Sequence, residues 1–290
     1  MDNELTYNDI GFEELVKRNI DSQLIGNLSK YTHYISPTIG TTNRAGRIDQ
    51  TIFDYNYIDT KTIGLYVWLM TNSRLSNSKD EQVVRMIGIE LFIDFLGIRV
   101  TKDNKQQIKK MFEWLELHQF IRMEKTITHK NEQYYNIYLQ NIKSHYCKAY
   151  EYSIEKIVNE SKGFNTLTKI GIYAAIRSKI FEEKLEHNKG GHVFNYGQSL
   201  MTELAHCSKR TYQNNAKWLC DHEILAYFIG TKKEDDEGHK GYKKRYMSEM
   251  KDHVWLTADM IGKIMQHELV WVSPVVENEN TFSNKVSSAV

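Results

Sequence analysis

The 290-residue chain has only two prolines, Pro37 and Pro274. Because proline interrupts helices, this scarcity favours helix-rich segments over an all-β design punctuated by proline. The chain also lacks an excess of charge of either sign. It has 38 lysines and arginines and 37 aspartates and glutamates, which gives a formal net charge of +1. This balance excludes a uniformly basic, histone-like protein. It leaves room for local basic patches, since electrostatic steering depends on where the charges lie.

The chain has only three cysteines, Cys147, Cys207 and Cys220, and no two of them are closely spaced in the sequence. An odd number without close spacing favours reduced, mostly buried thiols in a reducing compartment. No run of about 18 apolar residues is present, which predicts no membrane span. The first residues, MDNELTYNDI, are acidic and mixed rather than apolar, so no secretory signal is expected. Together these absences predict a soluble, cytoplasmic protein without a membrane partner.

The length and composition are those of a folded chain with two domains of roughly 150 residues each. Hydrophobic residues make up 41% of the chain and aromatic residues 12%, with tyrosine the commonest aromatic. Such a composition supplies enough apolar surface for packed cores and argues against a mainly disordered chain.

Two short sequence patterns each occur twice. WLELHQFI begins at Trp114 and WLCDHEIL begins at Trp218, and the two share Trp, Leu and His at matching places. Upstream, TIGLYVWL at 62–69 matches KIGIYAAI at 169–176 around Ile-Gly-Leu-Tyr and Ile-Gly-Ile-Tyr. The same order of patterns in both halves indicates two copies of one small domain.

In the first copy, helical periodicity predicts helices at 61–72 and 89–96. A third helix runs to about His118 from a cap at Thr101, Asp103 or Asn104. IRMEKTIT and YYNIYLQ then predict a β-hairpin.

The second copy repeats this order, with helices at 167–181 and 196–206 and a third helix from Ser208 to about His222. A short strand is expected at 192–194. ILAYFIGTKK and YKKRYMSEM predict the second hairpin.

The remaining segments flank and join the copies. A short helix is expected at 12–18, a loop at 36–49, a linker helix at 149–161, a helix from about 256 to 267 capped by Thr257, and a disordered tail from Glu277. The predicted organisation is an N-terminal extension (1–58), domain 1 (59–141), linker helix (142–164), domain 2 (165–250) and a C-terminal helix with tail (251–290).

Three helices followed by a two-stranded wing resemble the winged helix-turn-helix proteins, and LAHCSKRTYQNNAKWLCDHEIL at 204–225 carries the resemblance best. The glycine usual after the third helix is replaced by Gln119 and Glu223, which weakens the match. The resemblance covers residues 60–140 and 165–250. It implies a mainly α fold with small β-hairpins (α+β) and two tandem winged-helix domains. The tandem arrangement is similar to that of plasmid and phage replication initiators.

In such a fold the third helix enters the major groove, with its first turns against the base edges. Arginine pairs with guanine, and glutamine or asparagine with adenine, whereas hydroxyls suit phosphates. The alternative is an ordinary solvated helix face. The candidate DNA-binding residues of the third helices are Ser208, Lys209, Arg210, Thr211, Gln213, Asn214 and Lys217 in copy two, and Lys105, Gln106, Gln107, Lys109 and Lys110 in copy one.

The wings supply further candidates. Copy two has a dense basic group, beside an acidic stretch at 234–237 that would repel phosphates: Lys232, Lys233, Lys240, Lys243, Lys244 and Arg245, of which the last four are the candidate DNA contacts. Copy one offers only Lys125, His129 and Lys130.

The repeated Trp, Leu and His are interpreted as structural. The Trp-Leu pairs should pack in the core, and His118 and His222 should serve the free carbonyls at the helix ends. A metal site is the alternative, but the spacings with Cys207, Cys220 and His145 match no zinc pattern. No metal or other cofactor is expected.

The sequence therefore predicts a non-enzymatic protein that binds double-stranded DNA in a sequence-specific way. The favoured role is a plasmid or phage replication initiator at origin repeats, with a homodimer and host replication proteins as further partners. A transcriptional repressor and a DNA-segregation protein are alternatives that regulate or partition DNA with the same fold. A protein-interaction adaptor is an alternative of another class. A nicking enzyme would need a His-apolar-His metal pair, which is absent.

Overall fold

We analysed a computed structural model of the chain. It describes residues 44–76, 80–129, 132–180, 193–194, 196–232, 243–252, 256, 259–260, 263 and 269–274. The chain forms two compact units: residues 36–225 make one, and 226–290 with 1–35 make the other. The fold is mixed α/β, with more residues in helix than in strand among those described. The helix expected at 12–18, the tail from Glu277, and Lys130, Lys240 and the acidic stretch 234–237 lie outside the described residues.

The larger unit begins with elements that match the first predicted copy. These are β1 (Ala45–Asp49), a 3-10 helix (Gln50–Asp54), α1 (Thr60–Asn72), β2 (Arg74–Leu75), β3 (Glu81–Gly88), α2 (Ile89–Phe95), α3 (Lys102–Leu117), β4 (Ile121–His129) and β5 (Glu132–Gln140). The expected hairpin β4–β5 is present, but it belongs to a four-stranded antiparallel sheet of order β2-β3-β5-β4.

The same unit continues with β6 (Tyr146–Tyr150), α4 (Glu151–Glu160), α5 (Phe164–Arg177), α6 (Gln198–Leu204) and α7 (Lys209–Asp221). Strand β6 pairs antiparallel with β1, from Ala45 opposite Tyr150 to Asp49 opposite Tyr146. The linker helix is confirmed as α4. Residues 45–49, expected in a loop, form a strand because this distant partner satisfies their backbone groups.

The other unit contains β7 (Leu225–Lys232), which starts at its boundary, β8 (Lys243–Glu249), a 3-10 helix (Met250–Asp252) and β9 (Leu269–Pro274). The strand order is β8-β7-β9, with β7 and β9 antiparallel. The second hairpin is thus confirmed, with an additional strand on its β7 side. Leu256, Asp259, Met260 and Lys263 are helical, as the periodicity of this segment predicts.

Helices α1 and α5, the first helices of the two copies, pack against each other at the centre of the larger unit. Their repeated glycines make the contact. A Cβ atom on Gly64 would lie 2.0 Å from the carbonyl O of Leu167, and one on Gly171 would lie 2.2 Å from the carbonyl O of Thr60. Gly64 and Gly171 are equivalent in the repeat, as are Thr60 and Leu167. The contact is therefore reciprocal, as at a two-fold interface between identical subunits.

Two further contacts follow the same reciprocity. The Gly163 N–H, at the start of α5, donates to the Leu96 carbonyl at the end of α2 (2.7 Å). The Thr60 hydroxyl, at the start of α1, donates to the Ala205 carbonyl at the end of α6 (2.5 Å). Each copy's second helix is thus fixed at its end by the other copy's first helix, which joins the helices of the two copies within the larger unit.

Candidate nucleic-acid interface

The pairs α2–α3 and α6–α7 share one backbone design. After α2 the chain turns through Gly97 with φ 67°, and after α6 it turns through His206 with φ 47°. In both turns the left-handed residue donates its N–H to a carbonyl three residues earlier, at 2.8 Å from Gly97 to Asp94 and 3.0 Å from His206 to Glu203. The sequence supplies a glycine in the first turn. In the second, the His206 ring donates to the Phe53 carbonyl (2.9 Å), which holds a less favourable left-handed residue in place.

The third helices begin at the predicted caps. The Thr101 hydroxyl accepts from the Asn104 N–H (3.2 Å), which selects Thr101 among the three residues considered. The Ser208 hydroxyl accepts from the Thr211 N–H (3.1 Å) and lies 2.9 Å from the Thr211 hydroxyl. Helix α7 therefore starts one residue after Ser208, and both Ser208 and the first helical residues Lys209 and Arg210 are exposed.

The inward face of each third helix is apolar and buried. In α3 it consists of Ile108, Met111, Phe112 and Leu115; in α7 it consists of Tyr212, Asn215, Ala216, Leu219 and Cys220. Asn215 is the polar exception, and its side-chain amide donates to the Thr211 carbonyl (2.8 Å). These buried faces fix which side chains of each helix point to solvent.

The outward face of α7 carries the predicted residues. Ser208, Lys209, Arg210, Gln213 and Asn214 are exposed, and Thr211 and Lys217 are half-buried. Gln213 hydrogen-bonds to Gln198 of α6 (3.2 Å), and Lys217 pairs with Asp221 (3.1 Å). The side chains of Lys209, Arg210 and Asn214 have no hydrogen-bond or ion-pair partner within the part of the chain that the structure describes.

The outward face of α3 differs in its charge pairing. Gln106, Lys109 and Lys110 are exposed, and Lys105 and Gln107 are half-buried. Lys105 pairs with Glu90 of α2, and Lys109 pairs with Glu113 one turn along the helix (3.5 Å). The structure brings each predicted set together on one helix face. It also shows that two of the three lysines predicted on α3 already face a carboxylate, which sequence reasoning missed.

The repeated ending of α3 and α7 is a stacked cap. The ring of His118 lies 4.0 Å from that of Trp114, and the ring of His222 lies 3.9 Å from that of Trp218. Each histidine also donates from Nδ1 to the carbonyl of the same tryptophan, at 2.8 and 2.9 Å. The capping interpretation of both histidines is confirmed. The leucines are core residues, whereas the tryptophans are only half-buried, so the expected Trp-Leu core pair is half right.

Beyond each cap the chain must turn left-handed, where winged helices usually have glycine. Gln119 has φ 63° and Glu223 has φ 53°. The next residue then returns its N–H to the helix: Phe120 donates to the Leu115 carbonyl (2.9 Å) and Ile224 to the Leu219 carbonyl (2.9 Å). The departure from glycine therefore leaves the Schellman-type ending intact, at the cost of a strained backbone residue.

Lys169 of α5 is a further residue that the sequence did not single out. Its ammonium lies 4.3 Å from the centre of the Trp218 ring, and the residue as a whole has little exposed surface. Burial lowers the pKa of Lys169 below its ordinary value, because the charged form loses hydration. This contact ties the first helix of the second copy to the end of α7.

The predicted wing cations are placed less tightly. In the first wing, Lys125 and His129 are exposed. In the second, Lys243 opens β8, Lys244 lies 5.9 Å from the Tyr246 ring centre, and the Arg245 guanidinium lies 5.1 Å from the Tyr227 ring centre. Lys244 and Arg245 are half-buried, and in both it is the charged end of the side chain that lies over a tyrosine ring.

The described residues contain no group of three or more His, Cys, Asp or Glu side chains placed to hold a metal ion. Cys147 and Cys220 are buried and Cys207 is half-buried, and none is in a disulfide. No helix in the described ranges has the length and apolar character needed to cross a membrane.

No protein-family model matches the chain, and neither a curated protein nor a solved structure matches it.

Proposed function

We propose that this chain is a sequence-specific, non-enzymatic double-stranded DNA-binding protein with two tandem winged-helix domains. In each domain the third helix, α3 or α7, is the element that enters the major groove, and the following hairpin is the wing. The observation that carries the proposal is the first two turns of α7. There Lys209, Arg210 and Asn214 are exposed, without a polar partner among the described residues, on a helix whose other face is buried.

The chemistry of this surface fits duplex DNA. A capped helix start directs N–H groups and the positive end of the helix dipole outward, which favours phosphate. Arg210 has the planar donor fork that pairs with guanine, and Asn214 has the amide that pairs with adenine. Both side chains are exposed to solvent, so their donors are available to a base edge that replaces water.

The reciprocal α1–α5 contact adds a second support. Helix-turn-helix dimers use two-fold symmetry to present two recognition helices to successive major grooves. Here one chain carries two helix-turn-helix units joined through an interface with the same reciprocity, through Gly64 and Gly171. The proposed target is therefore a duplex with two half-sites of unlike sequence, since the outward residues of α3 and α7 differ.

Within this class we favour a replication initiator of a plasmid or phage, acting with host replication proteins and able to form a homodimer. Repression of transcription and DNA segregation use the same surface. The sequence of the bound DNA separates these roles. Repeats beside the gene for this protein support initiation, and a single promoter palindrome supports repression.

The test is a titration of the wild-type chain and Arg210→Ala against the duplex that the wild type selects from a random pool. If Arg210 reads a base, the substitution weakens binding by roughly 1–3 kcal/mol, or about 5- to 150-fold, and relaxes the preference at one base pair. Arg85→Ala is the matched control, because Arg85 is exposed on β3 at a groove on the sheet that contains no α7 residue.

The control is expected to change affinity less than about twofold, as a non-contacting surface charge does. Equal losses for Arg85→Ala and Arg210→Ala would show that only overall charge matters, and would remove base reading from α7. If the wild type binds no duplex, the result favours a protein-interaction adaptor instead.

A further inference from the structure

The two proposed reading helices differ in how their cations are engaged. On α3, Lys105 pairs with Glu90 and Lys109 with Glu113. On α7, the two cations of the first turn, Lys209 and Arg210, have no carboxylate partner among the described residues. The third cation, Lys217, pairs with Asp221 at the far end of the helix, away from the turns that would meet base edges.

Glu90 is held in place by the wing of its own copy. A carboxylate oxygen of Glu132, the first residue of β5, accepts the Glu90 N–H (2.6 Å) and the Leu91 N–H (3.3 Å) at the start of α2. Glu132 thereby caps α2, and Glu90 follows in its first turn. The start of α2 therefore places the Glu90 carboxylate beside Lys105, and Asp103 adds an acidic residue in the first turn of α3.

The local charge balance of the two helix starts follows from these contacts. At the start of α3 the chain carries the cations Lys102 and Lys105 and the acid Asp103, and Glu90 of α2 pairs with Lys105. The stretch from Lys209 to Lys217 on α7 contains no acidic residue. A phosphate approaching α3 meets the carboxylates of Glu90 and Glu113, which remain after any lysine has turned towards it, whereas residues 209–217 of α7 supply none.

We infer that α7 is the principal DNA-reading helix and that Glu90, with Glu113, restrains α3 from neutralising phosphates by holding Lys105 and Lys109. This inference rests on the proposed function. Exposed ion pairs of this kind are individually weak, so the restraint comes mainly from the carboxylates left facing the DNA. Removing these carboxylates should therefore strengthen DNA binding, which most surface substitutions do not do.

The test compares the wild type with the double variant Glu90→Gln, Glu113→Gln. The probe is a random-sequence duplex of about 30 base pairs, long enough for two half-sites one helical turn apart. We expect the double variant to bind about 3- to 10-fold more tightly at moderate salt. The slope of log affinity against log salt should steepen by about 1 to 2, as one or two new phosphate contacts form.

A control adds the same charge elsewhere. Glu155 and Glu160 are exposed on α4. The double variant Glu155→Gln, Glu160→Gln therefore changes the net charge by the same +2 without altering α3. This control is expected to raise affinity less than about twofold and to leave the salt slope unchanged. Adding Lys105→Met and Lys109→Met to the Glu90→Gln, Glu113→Gln variant should erase its gain. The same two substitutions in the wild type should cost less than Arg210→Ala alone.

The outcomes separate the inference from the function beneath it. A wild type without salt-dependent duplex binding overturns the proposed function, and the inference falls with it. If the wild type binds DNA, either of two results overturns the inference alone. One is an affinity of the Glu90→Gln, Glu113→Gln variant within twofold of that of the wild type. The other is an equal gain in affinity for the Glu155→Gln, Glu160→Gln control. The inference is also overturned if Lys105→Met with Lys109→Met, made in the wild type, lowers DNA affinity as much as Arg210→Ala does. Circular dichroism melts of every variant confirm that each is folded.

Discussion

Gly64 and Gly171 set how closely α1 and α5 approach, and adding one methyl group to either tests this. In Gly64→Ala the new Cβ would start 2.0 Å from the Leu167 carbonyl oxygen and 2.7 Å from the carbonyl carbon. Ordinary contact begins at 3.4 Å, so the helices must move apart by more than 1 Å. The neighbour is backbone within a helix, which has no rotamer that makes room.

The magnitude has two opposing parts. Overpacking a buried contact costs about 1–3 kcal/mol, and occasionally more when backbone must shift. Alanine favours the helix over glycine by about 0.8–1 kcal/mol. Because the whole α1–α5 contact must open, we place the cost at the upper end of its range. We then expect a net loss of about 1–2 kcal/mol, or a fall in Tm of about 2–8 °C for a unit of this size.

Calorimetry and urea unfolding of Gly64→Ala and Gly171→Ala measure this loss, and the reciprocal contact predicts similar values for the two. Gly197→Ser is the control, because a Cβ there meets no atom within 4 Å and serine is also a good N-cap. A change below about 0.5 kcal/mol is expected for it. Alanine variants that are as stable as the wild type would refute the close glycine contact, and with it the joining of the two copies.

Three further predictions concern the ends and support of the third helices. Ser208→Ala removes the α7 cap and should lower the free energy of unfolding by about 0.5–2 kcal/mol, whereas Ser208→Asp keeps it; urea midpoints that do not separate the two variants would contradict this role. His222→Ala removes the stacked cap and should cost about 1 kcal/mol and change the fluorescence of Trp218, and an unaltered spectrum would argue against stacking in solution. Lys169→Met tests the buried ammonium. Since the folded-state pKa of Lys169 lies below its ordinary value, the unfolded chain binds more protons between the two pKa values. The wild type should therefore gain stability over Lys169→Met as pH rises towards 10.5, and parallel pH profiles of the two proteins would contradict this.

Local signals predicted most of the helices. Helical periodicity and the caps Thr101 and Ser208 gave α3 and α7 to within a residue or two, because both act over one or two turns. Helix α5 was harder. It begins at Phe164 rather than Leu167, since Gly163 with φ 72° starts the helix without a capping side chain.

Strand β3 could not be predicted from alternation. A bulge interrupts its pairing with β5 between Val84 and Ile87, and Met86 has φ 60°. Before the bulge, the adjacent valines Val83 and Val84 are both buried, so the period of two is lost there as well. Strands β1 and β6 are 101 residues apart at their first residues and pair only in the folded chain, so no local pattern reveals them.

The candidate site was predictable in its residues but not in its charge pairing. The outward face of α7 follows from the cap and the buried stripe. The charge pairing depends on how α2, α3 and β5 pack together. Lys105 of α3 pairs with Glu90 of α2, and Glu132 of β5 caps α2. The repeated Ile-Gly pattern was visible as a repeat, but its role as a helix contact needed both copies in place.

The central claim is that the chain reads duplex DNA through two linked third helices. Selection of bound fragments from the source genome tests it most directly, with the wild type and Arg210→Ala compared under the same salt. The account predicts that the wild type enriches one motif with two conserved parts about one helical turn apart, and that Arg210→Ala loses preference in one part only. Fragments recovered without any common motif, at a level independent of salt, would contradict it.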